Sequence, residues 1–243
     1  MNDSVGEIVQ VIAHEREGRD RGWWDQMERC YYPDSYVRAS WFNGTGPEFV
    51  AASREMAAHG DLSRHRLAIP TVHQNGDRAV AIVPMAIELR FFVHDVEADL
   101  ISYARGIYQL ERRRDRYAIS GLSTIYERDT VNPVIPGQAI PIDAERLATL
   151  PPAYRLLAYH LENRGYPIDT KLPSDDQPEV CKQLLAEAFD WNPPRSPAGD
   201  SSRPARWRAV WPPPVCWRPS RWWPAPHPRR GAGMPRRAYT RCA

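Results

Sequence analysis

The sequence predicts an α+β fold in which three N-terminal helices lie on one face of a bent antiparallel sheet. Apolar residues recur at helical spacing near the N-terminus, and two pairs of long β-rich segments follow. Asn75-Gly76 joins the first pair and Arg114-Asp115 joins the second, and Asn-Gly is a strong two-residue hairpin signal. Both faces of the strand that follows Gly76 are apolar from Ala79 to Met85, so we expect this strand to be covered on two sides.

The first two helices are defined by an apolar stripe and by glycines. Ser4 is the expected N-cap of the first helix, whose apolar residues are Val5, Ile8, Val9 and Ile12. We expect Gly18 and Gly22 to interrupt this helix and a short second helix to run over residues 23–31.

The third helix and the strands follow in order. Residues 35–42 read as a first strand, and residues 44–61 contain a helix that has Pro47 near its first turn and Gly60 near its end. Pro84 has no N–H to donate to a sheet, so it is expected at an edge or a bulge.

The chain divides into three predicted parts. Residues 1–130 form the α+β domain, and residues 131–192 form a helical C-terminal extension that packs on it, with Asp143 capping its first helix. Residues 193–243 are a Pro-, Arg- and Trp-rich tail with eleven arginines and one aspartate, so the tail carries +10 and the remaining chain −8.

The tail has several interpretations. Its composition is typical of disorder and also of GC-rich DNA read out of frame, which favours a frameshift product. A Pro-rich ligand for aromatic grooves and an Arg/Trp segment that stacks on nucleic acid are the functional alternatives.

Composition excludes several classes of site. The four cysteines are far apart and form no CxxC pair, so neither a metal knuckle nor a disulfide framework is indicated. No phosphate loop, nucleophile elbow or zinc motif is present, so we expect no cofactor and no metal. No apolar run reaches the roughly 18 residues of a membrane span, and we expect a cytoplasmic protein.

Four polar residues are candidates for chemistry in the cavity between helices and sheet. His65, Tyr103 and Arg105 each alternate with apolar residues of their strands, and Asp20 lies at the expected break between the first two helices. A histidine held by a carboxylate is a good general base, while Tyr or Arg can polarise a carbonyl or stabilise an enolate. The set predicts proton abstraction beside a carbonyl, in a dehydration, isomerisation or aldol-type cyclisation.

Each candidate also has a structural explanation. Asp20 could cap the turn before the second helix, His65 could be solvated, and Arg105 could pair with Glu88 or Glu127 across the sheet. Five aromatic residues are expected in the core first and as pocket walls second: Trp23, Trp24, Tyr31, Tyr32 and Trp41, of which Trp24, Tyr32 and Trp41 are the candidates for substrate binding.

Four segments carry a resemblance to a known family: "REGRDRGWWDQMERCYYPDSYVRAS", "GPEFVAAS", "SRHRLAIPTVHQNGDRAVA" and "YQLERRRDRYAISGLSTIY". With the pattern Asp-x-x-x-Trp-Asp and a His before Asn-Gly-Asp, residues 4–128 resemble the SnoaL-like group of the nuclear transport factor two superfamily. Polyketide cyclases, scytalone dehydratase and the small subunit of ring-hydroxylating dioxygenases are relatives. The extension looks like one seen in some bacterial members.

The resemblance implies a cone-shaped curved antiparallel sheet wrapped around the helices, often dimeric through the outer sheet face. By similarity to scytalone dehydratase, Asp20 matches its histidine-orienting aspartate and His65 one of its catalytic histidines. Tyr103 stands near the position of the second catalytic histidine, and Arg19 replaces the tyrosine beside the aspartate.

These observations predict a pocket protein for a small, largely apolar organic ligand, forming a homodimer, with neither nucleic acid nor membrane as partner. It would be a cofactor-independent lyase, isomerase or cyclase in which His65 is the base, Asp20 orients it, and Tyr103 and Arg105 are the electrophilic partners. One alternative is a non-catalytic binding or assembly module whose cavity is filled by its own side chains. The other is a dioxygenase small subunit that needs a large iron-bearing partner.

Overall fold

A computed structural model of the protein describes residues 4–192. The tail predicted for residues 193–243 lies outside these described residues. The helices are α1 (Ser4–Arg21), α2 (Trp24–Arg29), α3 (Gly46–Ala58), α4 (Ala144–Ala148), α5 (Arg155–Asn163) and α6 (Pro178–Trp191), with a 3₁₀ turn at Pro152–Tyr154. The strands are β1 (Tyr31–Ala39), β2 (Phe42–Thr45), β3 (Arg64–Leu67), β4 (Thr71–Asn75), β5 (Arg78–Val93), β6 (Val96–Arg113) and β7 (Arg116–Pro133).

The strands form one curved, unclosed sheet in the order β2-β1-β7-β6-β5-β3, with β4 also paired to β5. The predicted α+β fold, with N-terminal helices and a helical C-terminal part, is confirmed. The sheet is mixed rather than wholly antiparallel, because β1 runs parallel to β7. Parallel neighbours need a long crossover, and here α3 and the β3–β6 strands supply it.

The first helix is longer than the glycine pattern predicts. Gly18 lies inside α1. A glycine is needed there because α2 packs closely: a Cβ atom on residue 18 would lie 2.9 Å from the backbone N of Met27. Gly22, at φ +72°, follows the last residue of α1. The α2 helix ends at Arg29, so Pro33 falls within β1, where the pairing with β7 is interrupted by a register shift.

The main core lies between the concave face of the sheet and the inner faces of α1 and α3. Its fully or nearly fully buried side chains include Ile8, Ile12, Phe49, Val50, Leu100, Tyr108, Leu110 and Ile119. A smaller cluster lies on the opposite face, where α6 contributes Cys181 and Ala188 against Val80, Ile107 and Ile125. The central strands are therefore covered on both sides, as the apolar pattern of β5 predicts.

Pro84 lies at a gap in the hydrogen bonding of β5. On one side β5 pairs continuously with β6, but on the other side the β4 pairing ends at Ile82 and the β3 pairing begins at Met85. Pro84 thus occupies a position where no N–H is needed for the sheet, and its carbonyl accepts the Ala68 N–H at 2.9 Å.

Acidic side chains position the C-terminal helices. The Asp143 carboxylate accepts the N–H groups of Glu145 and Arg146 at the start of α4, as predicted. Asp129, in β7, accepts the Leu156 and Leu157 N–H groups at 2.7 and 2.9 Å and so binds the start of α5 to the sheet.

Strand β7 runs to Pro133, three residues past the predicted domain boundary. No helix within residues 4–192 is both long and apolar enough to cross a membrane.

Candidate functional site

A small cavity lies between the concave face of the sheet, α1, α3 and α5. Its volume is about 60 Å³, well under the roughly 150 Å³ of an engineered apolar cavity that binds benzene. The walls combine a few charged or titratable side chains with aromatic and aliphatic ones: Arg16, Arg19, Asp61, His65 and His160 with Trp41, Phe49, Met85, Ile87, Leu89, Leu122, Leu157 and Leu161. Polar groups converging in an apolar pocket are typical of ligand sites.

Asp20 and His65 are in contact at this cavity. The Asp20 Oδ1 atom lies 2.6 Å from His65 Nδ1, and Asp20 Oδ2 accepts the backbone N–H of His65 at 2.6 Å. Asp20 belongs to the last turn of α1 rather than to a break between helices, and it does not cap α2, whose first turn has no side-chain cap. Since a carboxylate only accepts hydrogen bonds, Nδ1 carries the proton and Nε2 keeps its lone pair.

In the folded protein the His65 imidazole is neutral and the Asp20 side chain is an ionised carboxylate. Burial lowers the pKa of His65 to about 4, with Arg16 and Arg19 adding to the decrease, although the hydrogen bond to Asp20 opposes it. Burial alone would raise the pKa of Asp20, but the hydrogen bonds from the ring and backbone N–H groups of His65, together with the charge of Arg16, outweigh it, so the pKa is lowered. Near pH 7 His65 is therefore an uncharged acceptor.

A buried ion pair, formed by Glu15 and Arg16, lies next to His65. Glu15 and Arg16 bind each other through two hydrogen bonds, and the Tyr31 hydroxyl donates to Glu15 Oε1 at 2.8 Å. The Tyr108 hydroxyl lies 3.4 Å from Glu15 Oε2. Arg16 Nη1 lies 3.5 Å from His65 Nε2 and donates a long hydrogen bond to its lone pair, so the network brings a cation balanced by Glu15 next to the basic atom of the imidazole.

Arg19 contributes a second cation, placed among aromatic rings. Its guanidinium carbon lies 5.5 Å from the ring centres of both Trp41 and Phe49, within the range of cation–π interactions. Arg19 Nη2 approaches Met56 Sδ at 3.8 Å. Burial, followed by the charge of Arg16, lowers the pKa of Arg19 to about 10, so it remains charged near pH 7.

Helix α5 of the C-terminal part forms one wall of the cavity through Leu157, His160 and Leu161. The His160 ring packs on Phe91 at 4.1 Å between centres, and burial lowers the pKa of His160 to about 4. Both cavity histidines are thus neutral near pH 7.

The structure does not bring Tyr103 and Arg105 to the cavity, which corrects the prediction that they face it. They project from the opposite face of β6, where Arg105 pairs with Glu127 at 2.9 Å and also with Asp175. Arg128 lies 4.4 Å over the Tyr103 ring on that face. The alternative that Arg105 pairs with Glu127 across the sheet is correct. The residues of β6 that face inwards have even numbers, and Tyr108 is the one at the cavity.

Of the three aromatic residues predicted to bind substrate, only Trp41 lines the cavity. Trp24 lies under Arg54, 6.0 Å from its guanidinium carbon, and the Tyr32 hydroxyl bonds backbone groups at the far end of the β6–β7 hairpin. Trp23, expected in the core, is 54% exposed.

Sequence reasoning missed Arg16, Tyr108 and His160 as cavity residues. A signal for Arg16 exists: with Ile8 and Ile12 it repeats every four residues, which places all three on one helix face. Tyr108 depends on which face of β6 is concave, and His160 depends on where α5 packs. Neither is encoded locally.

Within residues 4–192 no group of three or more His, Cys, Asp or Glu side chains is arranged to hold a metal ion.

The chain is similar to known proteins over about half of its length or somewhat more. A family model described as a SnoaL-like domain matches residues 3–123. Pea pathogenicity protein 2 of Fusarium vanettenii is 29% identical over 147 residues, which cover 59% of this chain and 63% of that protein. A PEP2-like protein of the same organism is 30% identical over 148 residues, with the same coverage of 59% and 63%. The chain therefore spans less than two thirds of the length of these curated relatives, which are fungal.

Solved structures are more distant. Hexachlorocyclohexane dehydrochlorinase LinA-type3 from Novosphingobium barchaimii superposes with a TM-score of 0.48 at 13% identity, over 57% of this chain and 95% of that one. A protein of unknown function from Mycobacterium tuberculosis superposes with a TM-score of 0.45 at 16% identity, over 68% of this chain and 97% of that one.

Proposed function

The chain carries a SnoaL-like domain at residues 3–123 and so belongs to the SnoaL-like family, and from this premise we propose that it is a cofactor-independent enzyme that removes a proton from a carbon atom. The reaction class is that of a lyase, isomerase or cyclase. The observation that carries the proposal is the 2.6 Å contact between Asp20 Oδ1 and His65 Nδ1 at the wall of a partly apolar cavity.

His65 is the base in this proposal. The C–H bond next to a carbonyl breaks, the proton moves to His65 Nε2, and the electron pair remains on the substrate as an enolate. Asp20 is a positioning residue that holds the tautomer with Nδ1 protonated and stabilises the imidazolium. Arg16 and Arg19, rather than Tyr103 and Arg105, stabilise the negative charge that develops on the substrate.

The low pKa of His65 is compatible with this role. Burial is the main cause of the lowered pKa, and the two arginines that add to it in the free protein are the groups that would bind the enolate. Once their charge is balanced by the enolate, they no longer oppose protonation of the imidazole. The base is therefore weak without substrate and stronger as the transition state forms.

Hydrogen–deuterium exchange tests the proposal without knowledge of the final product. Acetone, pyruvate and related compounds of three to five carbon atoms are incubated with the protein in D₂O, and loss of the α-proton signal is followed by NMR. We expect exchange that falls about 10²- to 10⁴-fold in His65→Asn, the range typical of general-base catalysis. Asp20→Asn should lower the rate and shift the midpoint of its pH profile downwards, because the carboxylate raises the pKa of His65.

The matched control is His14→Asn, which removes an exposed histidine from α1, the helix that carries Asp20. Its exchange rate should equal that of the wild type, and circular dichroism should show all three variants folded. Absence of exchange with every compound, or unchanged exchange in folded His65→Asn, would contradict the proposal.

A non-catalytic binding module is the second candidate, and the cavity volume of about 60 Å³ favours it. Trp41, Leu157 and Leu161 line the cavity with bulky side chains, which limits the size of a substrate. Saturable ligand binding without any deuterium exchange would support this candidate. The dioxygenase small subunit, the homodimer and the cytoplasmic location stay predictions.

A further inference from the structure

Two arginines line the cavity, and only one of them has a carboxylate partner. Arg16 is bound by Glu15 through two hydrogen bonds. Arg19 makes no ion pair with any described residue. Asp20, its neighbour in sequence, directs both carboxylate oxygens at His65 instead. Arg19 therefore brings a positive charge to the cavity wall that the surrounding protein leaves unpaired.

The guanidinium of Arg19 also has unused hydrogen-bond donors. Its Nε atom is shielded from solvent and has no hydrogen-bond partner, and Nη2 reaches only the weak acceptor Met56 Sδ at 3.8 Å. The rings of Trp41 and Phe49 attract the cation but do not accept its N–H groups in the manner of an oxygen. Arg19 is half-buried, and a partly buried charge without a partner is unfavourable, so a bound anion would reduce the penalty.

We propose that Arg19 binds the carboxylate of a small organic acid in this cavity. This inference rests on the proposed function and deepens it, since it makes the substrate a carboxylic acid whose carbon skeleton faces His65. Arg19 then holds the carboxylate, and Arg16 is the cation nearest to the developing enolate. A carboxylate fits because the planar guanidinium presents parallel N–H groups that match its two oxygens. One unpaired cation also suits a monoanion, and the volume of about 60 Å³ suits a ligand of few heavy atoms.

Binding is tested with acetate as the probe, independently of any turnover. The purified full chain is titrated with sodium acetate, with sodium chloride and with the neutral isostere acetamide at pH 7 and constant ionic strength. The melting temperature and the tryptophan fluorescence, to which Trp41 contributes, are recorded. We expect acetate to raise the melting temperature saturably and chloride and acetamide to have no such effect.

Substitutions of Arg19 test whether this residue binds the acetate. Arg19→Gln should bind acetate at least about tenfold more weakly, as expected for loss of hydrogen bonds to a charged group, while Arg19→Lys should retain part of the affinity. Arg21→Gln is the control, because Arg21 belongs to the same helix turn but is 53% exposed and pairs with Glu17. Arg19→Gln should itself remain folded, since it removes an unbalanced buried charge.

The outcomes separate this inference from the proposed function. His65→Asn should bind acetate as the wild type does, so a failure of the base role leaves the carboxylate site intact. Equal affinity of Arg19→Gln and wild type for acetate, equal stabilisation by chloride or acetamide, or no effect of acetate on the wild type would each overturn the inference.

Discussion

The buried imidazole of His65 makes the stability of the fold depend on pH in a defined window. Its pKa is lowered from 6.5 to about 4, so between these pH values the unfolded chain binds a proton that the folded chain does not. The stabilisation is therefore fully present above about pH 6.5 and is lost as the pH falls towards 4. His65→Asn removes the titration but keeps a side-chain N–H for Asp20.

The size of the effect follows from the two pKa values. Between pH 7.5 and pH 5.0, a single site with these values reduces the free energy of unfolding by roughly 2 kcal/mol. Urea unfolding at both pH values should therefore show a loss about 2 kcal/mol larger for the wild type than for His65→Asn. His160, with its pKa lowered to about 4, and Asp129, with its pKa raised to about 6, titrate in both proteins and cancel in the difference.

The control is again His14→Asn, which should lose as much stability as the wild type because His14 is exposed. If His65→Asn also loses as much as the wild type on acidification, the imidazole is not buried as a neutral group. The account of the charge state of the pair would then be wrong.

Three further substitutions test other parts of the structure. Gly18→Ala should lower the free energy of unfolding by about 1–3 kcal/mol in urea titrations, since its Cβ would meet the backbone of Met27 at 2.9 Å. Asp129→Asn should destabilise by about 1 kcal/mol and increase amide hydrogen exchange in α5, because the carboxylate that holds the start of this helix is lost. Arg105→Ala should leave deuterium exchange of the substrate unchanged, since Arg105 lies on the other face of the sheet from the cavity, and a clear loss would return it to the reaction.

The fold was largely predictable because its signals are local. The Asn75-Gly76 and Arg114-Asp115 turns both lie where the sequence predicts them, with Gly76 and Arg114 at φ +59°. The glycine pattern predicts a helix break at Gly18, whereas the glycine permits the close approach of α2, which depends on tertiary packing that the sequence pattern does not encode.

The site was predictable only in part, because the direction of a side chain across a sheet depends on which face is concave. In β6 both faces carry apolar residues, with Leu100 and Ala104 towards the main core and Ile107 towards α6. Alternation therefore separates the two faces of β6 but does not show which of them meets the cavity, and the prediction that Tyr103 and Arg105 lie on the cavity face is wrong. For His65 the resemblance to scytalone dehydratase and the strand pattern predict the same cavity position, and the histidine lines the cavity.

The second contact of Asp20 has a consequence for how the molecule behaves in solution. His65 belongs to β3, a four-residue strand at the border of the sheet, which among residues 4–192 pairs with β5 alone. By accepting the His65 backbone N–H, Asp20 occupies a position to which a strand from another molecule could otherwise add. A variant that removes this oxygen would leave the His65 backbone N–H without its partner as well as release the imidazole, so self-association would accompany any loss of the proton transfer proposed for His65.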